Sequence, residues 1–204
     1  DLTYANLASD VVGLLDHLGV DRAHVIGHSM GGGTALELAV NHPERLLSVV
    51  PISASVRPEG AHPDLADPST YATSTRMPTE QDFADVAAAY VKVAPHPERF
   101  DDLPARSMTS LNGWSGWTDE QLAGITAPTL IVVGDHDFTT TAHAVLMQEL
   151  IPGSQLAILP GTTHMQAPRR ADLLLPMLAA FRRTARHGDE QGTATGRRPR
   201  GSAR

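Results

Sequence analysis

The run Gly27-His28-Ser29-Met30-Gly31-Gly32-Gly33 constrains this chain more than any other feature. It is a G-x-S-x-G pattern extended by two further glycines, and its flanks define its geometry. Before it, His24-Val25-Ile26 is apolar and too short for a buried helix, so it reads as a strand buried on both faces. After it, residues 30–41 have helical character, and Pro43 helps to end them. A strand that passes into a helix through so few residues must turn tightly. The serine is then held in a strained backbone conformation that demands small neighbours, and Gly27 and Gly31 supply them. Its hydroxyl projects from the end of the sheet. The positive end of the following helix and the Met30 N–H lie close to where an oxyanion would form. A phosphate-binding loop fits poorly, because the chain has no G-x-x-x-x-G-K-[ST] and the glycine spacing is not G-x-G-x-x-G.

The rest of the chain alternates between strand and helix periodicity, with one interruption. Leu7, Val11, Leu14, Leu15 and Leu18 recur at helical spacing over residues 3–18, and Gly19 stops them. Residues 46–53 read as a strand. Residues 128–133 and 155–159 read as strands, and 141–150 and 168–183 as helices. The expected class is therefore α/β, a mostly parallel sheet with helices on both faces. Residues 54–125 break the pattern, punctuated by Pro58, Pro63, Pro68 and Pro78. Within them, 79–93 reads as a helix capped by Thr79, with Asp82 three residues on and Phe83, Val86, Ala87, Tyr90 and Val91 sharing a face. The expected organisation is one domain over 1–183, interrupted at 54–125. The basic Gly/Arg-rich tail over 184–204 is expected to be disordered.

Charge narrows the partners. The formal net charge is −7, and the tail carries +3, which leaves −10 on the body. An acidic body argues against nucleic acid. No apolar run reaches the length of a membrane span, and no secretory signal is visible, so a cytoplasmic location and a small-molecule partner are expected. With no cysteine, thiol catalysis and Cys-ligated zinc are excluded. His136, Asp137 and His143 do not match a familiar metal-ligand spacing.

A serine nucleophile needs a base, and the base needs an orienting carboxylate. Asp137 stands just past the strand at 128–133, in Gly134-Asp135-His136-Asp137-Phe138. His164 follows the next strand, in Pro160-Gly161-Thr162-Thr163-His164. Carboxyl ends of parallel strands are where catalytic groups collect. Asp135 is the rival acid, but its place directly after Gly134 puts it in the turn. His28, adjacent to the serine, is expected to pack or hydrogen-bond within the site and not to act as the base.

With these segments in hand, the chain resembles the α/β-hydrolase superfamily, in its branch of esterase-like, haloperoxidase-like and C–C-bond hydrolases. The resemblance rests on residues 10–19, 24–32, 127–137 and 159–164. It implies Ser29 as nucleophile, Asp137 as acid, His164 as base and the Met30 N–H as an oxyanion donor, with no cofactor. It also implies that residues 54–125 form a cap over the site, where Trp114, Trp117 and His28 are candidate pocket residues. The family has further strands before the first helix seen here, and the loop after its third strand carries a second oxyanion donor. The chain is therefore expected to be N-terminally truncated. Loss of one such donor costs on the order of 100- to 1,000-fold in turnover. Two other readings stay open: a non-catalytic small-molecule-binding member of the same fold, and acyl transfer or perhydrolysis by the same triad.

Overall fold

The computed structural model describes the backbone of residues 1–195 and the side chains of 1–107 and 113–185. The Thr3 hydroxyl accepts the Asn6 N–H at 3.2 Å and caps helix α1, Tyr4–His17. Gly19, at φ 65°, turns the chain toward strand β1, Ala23–His28. Helix α2, Met30–Asn41, follows after a single intervening residue, and strand β2 spans Leu46–Ile52. Strand β3 is Leu130–His136 and strand β4 Gln155–Thr163, joined by helix α6, Thr141–Leu150. The four strands lie in the order β1-β2-β3-β4 with every pair parallel. Helix α2 packs on β1 and β2, helix α6 on β3 and β4, and α1 on α2. Leu36, Leu38, Val49, Ile131, Met147 and Ile151 are fully or almost fully buried in one core. Burying each such side chain contributes about 1.5–3 kcal/mol.

One strand departs from expectation. β1 is not buried on both faces: it lies at the edge of the sheet, and Ile26 is 50% exposed. The apolar run was real, but strand faces are covered by packed helices, and with α2 packed on β1 the Ile26 side chain still stays half exposed.

Two close backbone approaches fix the sheet's upper end. A Cβ on Gly27 would lie 2.0 Å from the Gly31 carbonyl oxygen, and one on Gly134 would lie 2.0 Å from that of Thr162. Gly31 itself faces open space. Its contribution to the turn is the carbonyl that Gly27 makes room for, and not its own lack of a side chain.

The segment between β2 and β3 contains three α-helices and four short 3-10 turns. Helix α3, Glu80–Val93, begins with the expected Thr79 cap, and Asp82 completes a reciprocal capping box. None of its residues is buried, and Phe83 is 61% exposed. Helix α4, Asp102–Asn112, and helix α5, Asp119–Ala123, were not anticipated. Pro104 falls in the first turn of α4, where a missing N–H is tolerated. α5 is too short to show periodicity. Helix α7, Ala171–Thr195, runs well past the expected end at 183 and belongs to a second compact unit that starts at Arg170. The remainder of the expected basic tail, 196–204, lies outside the described residues.

Gly134→Ala is expected to cost about 1–3 kcal/mol, because the backbone of Thr162 must give way. Gly13→Ala, in an exposed turn of α1 with nothing near its Cβ, is expected to gain about 0.5–1 kcal/mol. Urea denaturation midpoints check both.

Candidate active site

Each of the four strands is followed at once by a residue of one cluster. Ser29 follows β1, Ser53 follows β2, Asp137 follows β3 and His164 follows β4. Ser29 sits at φ 55°, ψ −117°, a conformation few side-chain-bearing residues adopt. It is held there from both sides: its N–H donates to the Ile52 carbonyl at 2.9 Å, and its carbonyl accepts the Gly33 N–H at 3.0 Å. The α2 axis thus points at the serine, and Met30, its first residue, has an N–H with no intrahelical acceptor.

His164 Nε2 lies 3.0 Å from Ser29 Oγ, and its Nδ1–H donates to Asp137 Oδ1 at 2.8 Å. Asp137 has no exposed surface. Its Oδ1 also accepts the Phe138 N–H at 2.7 Å and the Thr139 N–H at 3.4 Å. Its Oδ2 accepts the Gly134 N–H at 3.2 Å and a hydrogen bond from the Ser53 hydroxyl. Burial pushes this carboxyl up, but His164, Ser53 and Gly134 outweigh it and leave it below the ordinary carboxylate value. Phe138 stacks on the His164 ring, with centroids 4.2 Å apart.

The rival acid does different work. Asp135 accepts the Gly161 and Thr162 N–H groups, each at 2.9 Å, and the Nδ1–H of His136. These bonds hold its carboxyl far below the usual range. They bind β3 to the chain leading into His164. His143 accepts the Val56 N–H on Nε2 at 3.2 Å, and burial lowers its pKa. Among the described residues no three acidic, histidine or cysteine side chains come together as a metal site.

A hollow of about 390 Å³ contains Ser29, Met30 and His164, walled by Tyr4, Ala54, Pro58, Trp114 and Phe138 among others. Of the sequence candidates, Trp114 lines it. Trp117 is buried and faces a neighbouring hollow, with its Nε1–H on Glu37 at 2.9 Å. Arg57 also lines the Ser29 hollow, ion-paired with Asp119. Ser53, Phe138 and Tyr4 were missed by sequence reasoning. Only Ser53 had a signal, its place at a strand end. The segment after β2 is tied to the loops after β3 and β4. Arg76 donates to the Asp137 carbonyl at 2.9 Å, and Arg169 pairs with Asp82 at 3.1 Å and Asp85 at 3.3 Å on α3.

His28 does not face that hollow. Its Nε2–H donates to the His164 carbonyl at 2.9 Å and so ties the histidine loop to β1. Burial, then the proximity of His164, lowers its pKa from 6.5 to about 4. The unfolded chain therefore takes up a proton that the folded chain refuses. This contribution to stability is complete above pH about 6.5 and is lost as pH falls toward about 4. His28→Gln is expected to flatten the fall of Tm across that window, and parallel slopes for the two proteins in thermal melts would count against it.

Comparison with known proteins agrees with this architecture. The family model described as the alpha/beta hydrolase fold matches residues 1–94. A putative carbamate hydrolase, RutD, of Caulobacter sp. (strain K31) is 47% identical over 57 residues. That match covers 28% of this chain and 21% of the relative, so the chain spans about a fifth of its length in the matched part. A hydrolase from Pseudomonas aeruginosa PA01 is 28% identical over 88% of this chain and 71% of its own, with a TM-score of 0.61. Est816, described as an N-acyl homoserine lactone degrading enzyme, is 25% identical over 89% of this chain and 76% of its own, with a TM-score of 0.63. With its parallel sheet, its flanking helices and its tight strand-to-helix turn at Ser29, the chain has the α/β-hydrolase fold.

Proposed function

We propose that this chain is a serine hydrolase acting on a small, neutral ester-like or other activated carbonyl substrate. The observation that carries the reading is the unbroken relay from Ser29 through His164 to Asp137, at 3.0 and 2.8 Å. His164 Nε2 takes the Ser29 proton as Oγ attacks the carbonyl carbon. The Met30 N–H faces the developing oxyanion. Asp137 keeps Nδ1 protonated, and so leaves Nε2 as the acceptor, and stabilises the imidazolium that forms. His164 then gives its proton to the leaving group, and a water activated by the same nitrogen cleaves the acyl-enzyme.

The walls of the hollow support a neutral substrate. They are largely apolar, and the Arg57 charge at their margin is already matched by Asp119. The hydrolase and lactone-degrading names among the similar proteins support the reaction class.

The test is covalent labelling with a fluorophosphonate, read by intact mass, alongside hydrolysis of p-nitrophenyl acetate. One adduct is expected, and Ser29→Ala should abolish it. Asp137→Asn should slow turnover on the order of 10⁴-fold, because the wrong imidazole tautomer faces the serine. A folded chain that takes no adduct and turns over no ester would leave the relay without catalytic use.

A further inference from the structure

We infer that Ser53 is a positioning residue for the acid: its hydroxyl locks the Asp137 carboxylate in the rotation that presents Oδ1 to His164. The inference rests on the serine-hydrolase reading and adds a fourth side chain to it. Ser53 is the residue immediately after β2, as Ser29, Asp137 and His164 are immediately after theirs. It is 3% exposed, and its hydroxyl donates to Asp137 Oδ2.

Three features argue that this is more than incidental packing. The first is conformational. Ser53 and Ser29 are the two described residues other than glycine with positive φ, both at 55°. Glycine would be the unstrained choice for a turn of that shape, so a serine there keeps its hydroxyl at a conformational cost. The second is the division of the Asp137 oxygens. Oδ1 faces His164 with two backbone N–H groups beside it, whereas Oδ2 has only the Gly134 N–H at 3.2 Å apart from Ser53. Without the hydroxyl, the second oxygen keeps one long bond in a site closed to water. The third is shared support. The strand end that places Ser53 also places the serine nucleophile, since Ile52 C=O accepts the Ser29 N–H and Ser53 N–H donates to the Val132 carbonyl of β3 at 2.8 Å. The two groups that must face His164 from opposite sides are therefore both referred to the end of β2. His164 is the titratable group facing the carboxylate, and the Arg76 guanidinium reaches the Asp137 backbone carbonyl from the segment after β2.

Two variants separate the hydroxyl from the backbone. Ser53→Gly removes the donor and relaxes the positive φ, whereas Ser53→Ala removes the donor and keeps the strain. Both are expected to slow fluorophosphonate labelling of Ser29 about tenfold, the scale of one hydrogen bond to a charged group expressed in a rate. Both should lower kcat for p-nitrophenyl acetate with KM unchanged. Both should also shift the downfield proton NMR resonance of the His164 Nδ1–H. The alanine variant, which keeps the strain, should lose more thermal stability than the glycine variant. A glycine variant that labels at the wild-type rate with the resonance unmoved overturns the inference. So does a loss confined to alanine, which would assign Ser53 a purely structural part. A wild-type chain that is not labelled at all defeats the hydrolase reading, and the resonance then still decides whether Ser53 sets the Asp137–His164 contact.

Discussion

A carboxylate with no exposed surface must be surrounded by donors or it will not stay ionised, and the upper end of this sheet is arranged around that requirement at Asp137. Five donors converge on its two oxygens, from three backbone N–H groups, a serine and a histidine. The backbone donors come from the sharp turn that Gly134 permits, where β3 and β4 approach too closely for any side chain. The histidine donor comes from the end of β4, whose approach is set by Asp135 binding the Gly161 and Thr162 amides. Remove the buried charge, and the glycine, the turn and the second carboxylate lose their common reason.

The turn at Ser29 is the counterpart on the other side of His164. There the demand is steric before it is electrostatic. Gly27 admits the Gly31 carbonyl, Gly32 meets the Ala54 side chain and the Ile52 carbonyl, and Gly33 carries the ring of Tyr4. These contacts let α2 start one residue after β1 and point its N-terminus at the hydroxyl. His28, next to the serine and facing away from the hollow, spans the gap to the His164 backbone. The two halves of the site are thus joined by a neutral side chain as well as by the relay itself.

How much of this could be read beforehand follows from which forces are local. The glycine run, the helix of residues 30–41 and the cap at Thr79 are written in adjacent residues, and they appear where periodicity and capping chemistry put them. The order Ser29, Asp137, His164 was legible because each ends an apolar run. Ser53 ends one too, but a serine after a strand has no chemistry of its own until the acid 84 positions later is placed beside it. The exposure of β1 was illegible for a related reason: Val25 and Ile26 declare an apolar strand, and which of its faces is covered depends on elements distant in sequence. Trp114 and Trp117 look alike in sequence, three residues apart, yet Trp114 lines the hollow of Ser29 and Trp117 turns to Glu37.

Because every member of the cluster is the first residue beyond a strand, these four residues are placed by the sheet's register and not by the loops that follow. The long segment between β2 and β3 supplies part of the hollow's wall and is tied to the loops beneath it by a backbone contact from Arg76 and by exposed ion pairs from Arg169. Such surface pairs contribute about 0–1 kcal/mol each. The cluster and part of the wall of the hollow are therefore held by different parts of the chain. That segment can vary at small energetic cost while the positions of Ser29, Ser53, Asp137 and His164 stay fixed by four strand ends.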